Sequence, residues 1–158
     1  MEEYKLLLYR FKYDIEYYKL YYEKFTFINR NIEICISFFT VFSFVLLSIS
    51  DSFRFWSIII LAVVQLASLM RVYMPYSNRA LELSRLLLRY ESLFIEMETE
   101  LLNISDEKCN IQQKIKKYKE AKIKIQYEYM SNDNLKYNDK FKKMAEKSAE
   151  LYYNNWVK

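Results

Sequence analysis

Two stretches without a formal charge, Ile34 to Ser50 and Phe55 to Met70, are seventeen and sixteen residues long, with only Asp51-Ser52-Phe53-Arg54 between them. At about 1.5 Å per residue each covers roughly 25 Å, a little under the ~30 Å hydrocarbon core of a bilayer, and flanking side chains can snorkel to make up the difference. The inner helices of a soluble four-helix bundle carry a polar face, and these runs do not. The first holds only Ser37, Thr40, Ser43, Ser48 and Ser50 as polar groups, and the second only Ser57, Gln65 and Ser68. The pattern predicts an all-α membrane protein: a two-span transmembrane hairpin with spans at 32–50 and 55–74 and a short external turn at 51–54. Tyr73 and Tyr76 at one end, and Phe53 and Trp56 at the other, suit the aromatic belts of the two interfaces. The patterned residues ahead of the first run argue against a cleaved leader.

The rest of the chain is also expected to be helix. Among 158 residues there is no Gly and one Pro, which leaves little for tight turns. Without Gly there is no phosphate-cradling P-loop or dinucleotide fingerprint. Without His there is no imidazole base, no conventional triad and no His-containing zinc set. No enzyme, cofactor or metal site is expected. Cys35 and Cys109 read as free thiols in a reducing compartment.

Before the first span, Tyr4, Leu8, Phe11, Ile15, Tyr18, Tyr22 and Phe25 recur at spacings of four and three over residues 1–31, as in a coiled-coil seam. The alternation returns over 76–103 in Tyr76, Ala80, Leu83, Leu87, Tyr90, Phe94, Met97 and Leu101, with Pro75 at the exit from the second span. The two seams are expected to pack together as a cytoplasmic helical bundle. A third helix at 105–130 carries Ile111, Ile115, Tyr118, Ile125 and Tyr129. A final helix within 131–158 carries Tyr137, Phe141, Met144, Leu151 and Tyr152, with Trp156 anchoring its end. The Asn103-Ile104-Ser105 glycosylation pattern reads as chance before a helix start at Ser105 or Asp106.

Charge sets the orientation and one candidate site. The turn carries Asp51 and Arg54, whereas Lys24, Arg30, Arg71, Arg79, Arg85 and Arg89 lie near the other ends, so the positive-inside rule predicts both termini on the cytoplasmic side. "KIKKYKEAKIK" offers Lys114, Lys116, Lys117, Lys119, Lys122 and Lys124 against the single acid Glu120. Such a strip suits a solvated face or anionic headgroups, and equally a phosphate-bearing nucleotide or oligonucleotide. Two spans enclose no aqueous path alone, so a pore requires several chains. Ser37, Thr40, Ser43 and Ser50 on the first span, or Gln65 and Ser68 on the second, line such a pore or else join helices within lipid. A ring of four copies is one arrangement, and trimers or hexamers fit the seams as well. The spans hold no Asp, Glu, Lys or Arg, which argues against a proton relay.

The order of these parts, with "FINRNIEI" at the membrane entry and "RALELSRLLLRYESLFIEME" after the exit, resembles the SLATT family of two-span effectors over residues 1–130. The resemblance rests on Arg30 with Asn31, and on Ala80, Arg85, Tyr90, Leu93 and Glu98. It implies an anti-phage effector of the bacterial inner membrane. Such a protein forms homo-oligomers and opens a depolarising pore in response to a nucleotide signal from a neighbouring nucleotidyltransferase. The alternative from the residues alone is a non-conducting, membrane-anchored coiled-coil scaffold that recruits a cytoplasmic partner.

Overall fold

The protein is described from a computed structural model that covers residues 2–49, 51–73, 76–102, 108–130, 135 and 137–157. Five α-helices and no strand occur among the described residues: α1 Glu2–Ile49, α2 Asp51–Tyr73, α3 Tyr76–Leu102, α4 Lys108–Met130 and α5 Asp139–Tyr152, with a π-helical turn at Tyr153–Val157. Glu2 and Glu3 lie in the first turn of α1, where negative charge complements the helix dipole. The residues expected to form an external turn, Asp51 to Arg54, are instead the first turn of α2. Asp and Ser are residue types that helix starts favour, and no Gly is present to stop the chain from winding. Ser50, Pro75, the 103–105 motif, the expected helix start at Ser105 or Asp106, and the break at 131–134 lie outside the described residues, as do the side chains of Cys109 and Trp156.

The chain divides into two compact units, Met1–Tyr22 with Leu81–Lys158, and Glu23–Ala80. In the first, four helical segments bury one aromatic-rich core. Tyr4, Leu8, Phe11, Ile15 and Tyr18 of α1 are buried with Leu83, Leu86, Tyr90 and Met97 of α3 and Ile111, Ile115 and Tyr118 of α4. The seams expected from spacing face inward, with Tyr21 buried rather than the half-buried Tyr22. Ring pairs tie the segments: Tyr4 meets Tyr118 edge-on at 6.4 Å, and Phe11 and Tyr18 flank Tyr90 at 5.6 and 5.7 Å. Each such pair adds about 0.5–1.5 kcal/mol beyond its area.

The last helix, set apart in the sequence reading, belongs to this unit. Asn138 caps α5, its side chain accepting from the Lys140 and Phe141 amides at 3.1 and 3.2 Å. Its inward face differs from the expected one. Ala145 and Ala149 are fully buried, whereas Tyr137, Met144 and Leu151 are exposed. The short alanine side chains let α5 lie close, so that Phe141 meets Tyr21 at 5.0 Å and Tyr152 meets Phe94 at 5.3 Å.

The second unit holds the apolar parts of α1 and α2. Both helices are long and apolar enough to cross a membrane, and only 6% and 11% of their most apolar stretches are buried. Phe38, Val41, Phe44, Ile49, Leu66 and Leu69 all stand exposed, unlike the side chains of a soluble core.

The packing of α5 gives a direct check. Ala145→Leu overfills the close contact and is expected to cost about 1–3 kcal/mol, whereas Met144→Ala stays within about 0.5 kcal/mol of the parent. Thermal unfolding followed by circular dichroism in detergent measures both, and the reverse order would contradict the inward face described here.

Candidate functional site

Inside the second unit the polar residues of the two apolar runs separate into two groups. Ser43 and Ser57 are fully buried. The Ser57 hydroxyl donates to the Ser43 carbonyl at 2.6 Å, and the Ser43 hydroxyl donates back along its own helix to the Phe39 carbonyl, also at 2.6 Å. Small side chains at this point allow the helices to approach, and their hydroxyls are satisfied without water. Thr40 is half-buried and donates to the Ile36 carbonyl at 2.8 Å, and Ser48 donates to Phe44 in the same way at 3.0 Å. Ser37, Gln65 and Ser68 form the second group. All three are exposed, and none has a hydrogen-bond partner among the described residues.

Two contacts fix the alignment of the hairpin. Besides the serine joint, Arg71 near the end of α2 pairs with Glu33, whose carboxylate also accepts from the Asn29 amide at 3.2 Å. Counted from the joint, Ser37 lies six residues before Ser43 and Gln65 eight residues after Ser57. At 1.5 Å per residue the two differ in level by only about 3 Å. An uncharged groove of about 530 Å³ runs along the same unit, walled by Ile36, Phe39, Ile60 and Val64 and touched by Cys35, a free and exposed thiol.

The lysine strip of α4 is less open than its sequence suggests. Lys114 reaches Glu100 at 3.4 Å and Lys117 reaches Glu96 at 2.9 Å, both on α3. The Lys117 contact holds the Glu96 carboxyl below its ordinary range and raises the lysine in turn. Lys122 pairs with Asp14 of α1, and Lys116 with Glu120 one turn along its own helix at 3.9 Å. Lys119 and Lys124 are exposed and have no acidic partner among the described residues. A count of charge along one helix misses acids that packing brings from others.

Around Asp14 the first unit holds a buried polar cluster that the sequence reading did not find. Burial pushes the Asp14 carboxyl above its ordinary 3.8, against the pull of Lys122 and Arg10. The Tyr18 hydroxyl accepts from the Gln126 amide at 3.3 Å and is pushed up to about 12 by burial and by the Asp14 charge. Burial likewise raises Tyr90 and Tyr118. Tyr4, also raised by burial, donates to the Met97 carbonyl at 3.0 Å. These phenols stay protonated; Tyr4 donates across the core, Tyr18 accepts, and the buried hydroxyls of Tyr90 and Tyr118 have no hydrogen-bond partner among the described residues.

No known protein family, curated protein or solved structure matches this chain.

Because Asp14 is mostly buried, removing its partner is expected to do more harm than removing both. Lys122→Met should cost about 3 kcal/mol, and Asp14→Asn in the same chain should recover most of it. The raised Asp14 value means that the folded chain takes up this proton before the unfolded chain does. Its contribution to stability is therefore full below 3.8 and lost as pH rises through the raised value. Denaturant unfolding between pH 3.8 and neutrality should show that component of the slope in the parent and not in Asp14→Asn.

Proposed function

We propose that the chain is a two-span membrane effector that assembles from several copies around a polar axis and passes ions when a nucleotide-type signal releases it. The observation that carries this reading is the outward position of Gln65, which shares its helix face with the exposed Ser68 and lies level with Ser37. An amide facing hydrocarbon has neither donor nor acceptor to satisfy it, so in a bilayer it must meet water or a polar group of another chain. Several copies placed with Gln65, Ser68 and Ser37 inward satisfy all of these groups at once and leave a narrow aqueous path. Interhelical hydrogen bonds contribute only about 0.6 kcal/mol on average, so this set selects the face that turns inward and does not by itself drive assembly.

The helical segments of the first unit then lie in the cytoplasm, with both termini on that side, in the inner membrane of a bacterium. The resemblance to the SLATT family supports an anti-phage role and a signal made by a partner nucleotidyltransferase. Lys119 and Lys124, with the weakly paired Lys116, are the side chains of α4 left to contact an anionic nucleotide.

Gln65→Leu is the decisive variant. In bacteria induced to express the chain alone or with its neighbouring nucleotidyltransferase, a potential-sensitive dye should report depolarisation for the parent and its loss for Gln65→Leu at equal membrane abundance. Retention of potential by the parent in both settings, with a partner still recruited by a chain whose spans are exchanged for an unrelated hairpin, would favour the non-conducting scaffold.

A further inference from the structure

The side of the hairpin that carries Ser37 and Gln65 continues outward to a charge. Successive helix residues turn by about 100°, so from the serine joint Ser37 stands about 120° round α1 and Gln65 about 80° round α2. Because α2 runs back along α1 from that joint to the Glu33–Arg71 pair, turns of the same sense bring both residues to one side. The uncharged groove lies on the other side, where Cys35, Phe39, Ile60 and Ala67 turn in the opposite sense. Arg30 precedes Ser37 by seven residues, about 20° short of two full turns, and so shares its side. Counted from the joint, Ser68 is eleven residues along α2 and Arg30 thirteen back along α1. Arg30 therefore comes only about 3 Å beyond Ser68, at the open end of the hairpin.

Glu33 lies on the same side, but its carboxylate is taken up by Arg71 and by the Asn29 amide. Arg30 is exposed and has no ion-pair partner among the described residues, and its guanidinium rests over the Phe27 ring at 5.9 Å. It is the first unbalanced charge met on leaving the polar stretch at this end. The next charge on that side of α1, Glu23, stands seven residues farther out, about 10 Å away, which is a full screening length at 0.1 M salt.

We infer that the path proposed above selects anions, with Arg30 as the residue that does the selecting. The inference rests on that reading, in which several copies turn this side inward. Their guanidiniums then come to one level and form a positive ring at the open end, and rings of Arg or Lys at a mouth favour anions. Between low-dielectric walls such a field concentrates counter-ions by about tenfold or more. The guanidinium stays charged at every physiological pH and is weakly hydrated, which suits close passage of a small inorganic anion such as chloride. Anions leaving a negatively polarised interior lower the membrane potential, so an anion path depolarises a cell as a cation path does.

Reversal potentials test the selection apart from conduction itself. The chain is recorded in planar bilayers of neutral phosphatidylcholine under a potassium chloride gradient, and in patches of giant spheroplasts that also express the neighbouring nucleotidyltransferase. The parent is expected to pass chloride about tenfold more readily than potassium, Arg30→Gln to bring the two near parity and Arg30→Glu to favour potassium. Glu23→Gln should leave the parent's ratio within about twofold. A parent that passes potassium as readily as chloride, Arg30 variants that keep the parent's ratio, or a larger shift from Glu23→Gln than from Arg30→Gln would each overturn the inference and leave the pore standing. Currents in neither preparation would overturn the pore, and the anion path with it.

Discussion

A phenol buried among helices has to satisfy its hydroxyl without taking a backbone group away from the helical ladder. The first unit meets that condition at three tyrosines, whereas the buried hydroxyls of Tyr90 and Tyr118 have no partner among the described residues. Tyr4 finds a carbonyl near the end of α3, Tyr18 finds the amide of Gln126 on α4, and Tyr152 reaches Glu98. Each bond joins two helices at a chosen level, so the tyrosines set register as well as fill volume. A core of leucine alone would bury similar area with less to hold its helices in one axial alignment.

The hairpin solves the same polar problem with smaller groups. Hydroxyls that bond back to their own helix need nothing from outside, and Thr40, Ser43 and Ser48 do so. Gln65, with Ser37 and Ser68, makes no such bond among the described residues. The unit thus separates polar side chains that are consumed internally from those left to meet surroundings, and the chemistry proposed for the chain follows from the second set.

Much of this was legible in the sequence, because period is a strong signal where side chains are large. The rows Tyr4 to Tyr18, Leu83 to Met97 and Ile111 to Ile125 turned out to face inward. The signal failed on α5, where alanines do the packing and the larger Met144 and Leu151 face outward. It failed again for the lysine strip, since Glu96, Glu100 and Asp14 approach from other helices and only folding brings them there. Ser43 could not be told from its neighbours by spacing, because its burial depends on where Ser57 of the second helix comes to rest.

The Glu33–Arg71 pair closes the open end of the hairpin with one charge of each sign, and the two runs beyond it contain none. An electric field does work only on charge that moves through it, about 2.3 kcal/mol for each elementary charge per 100 mV. Tilting, twisting or sliding this hairpin in a bilayer carries no net charge across the voltage drop. Placed in a bilayer, such a hairpin would give a membrane potential little grip on its conformation, and a switch of the kind proposed for it would have to act through groups outside the two uncharged runs.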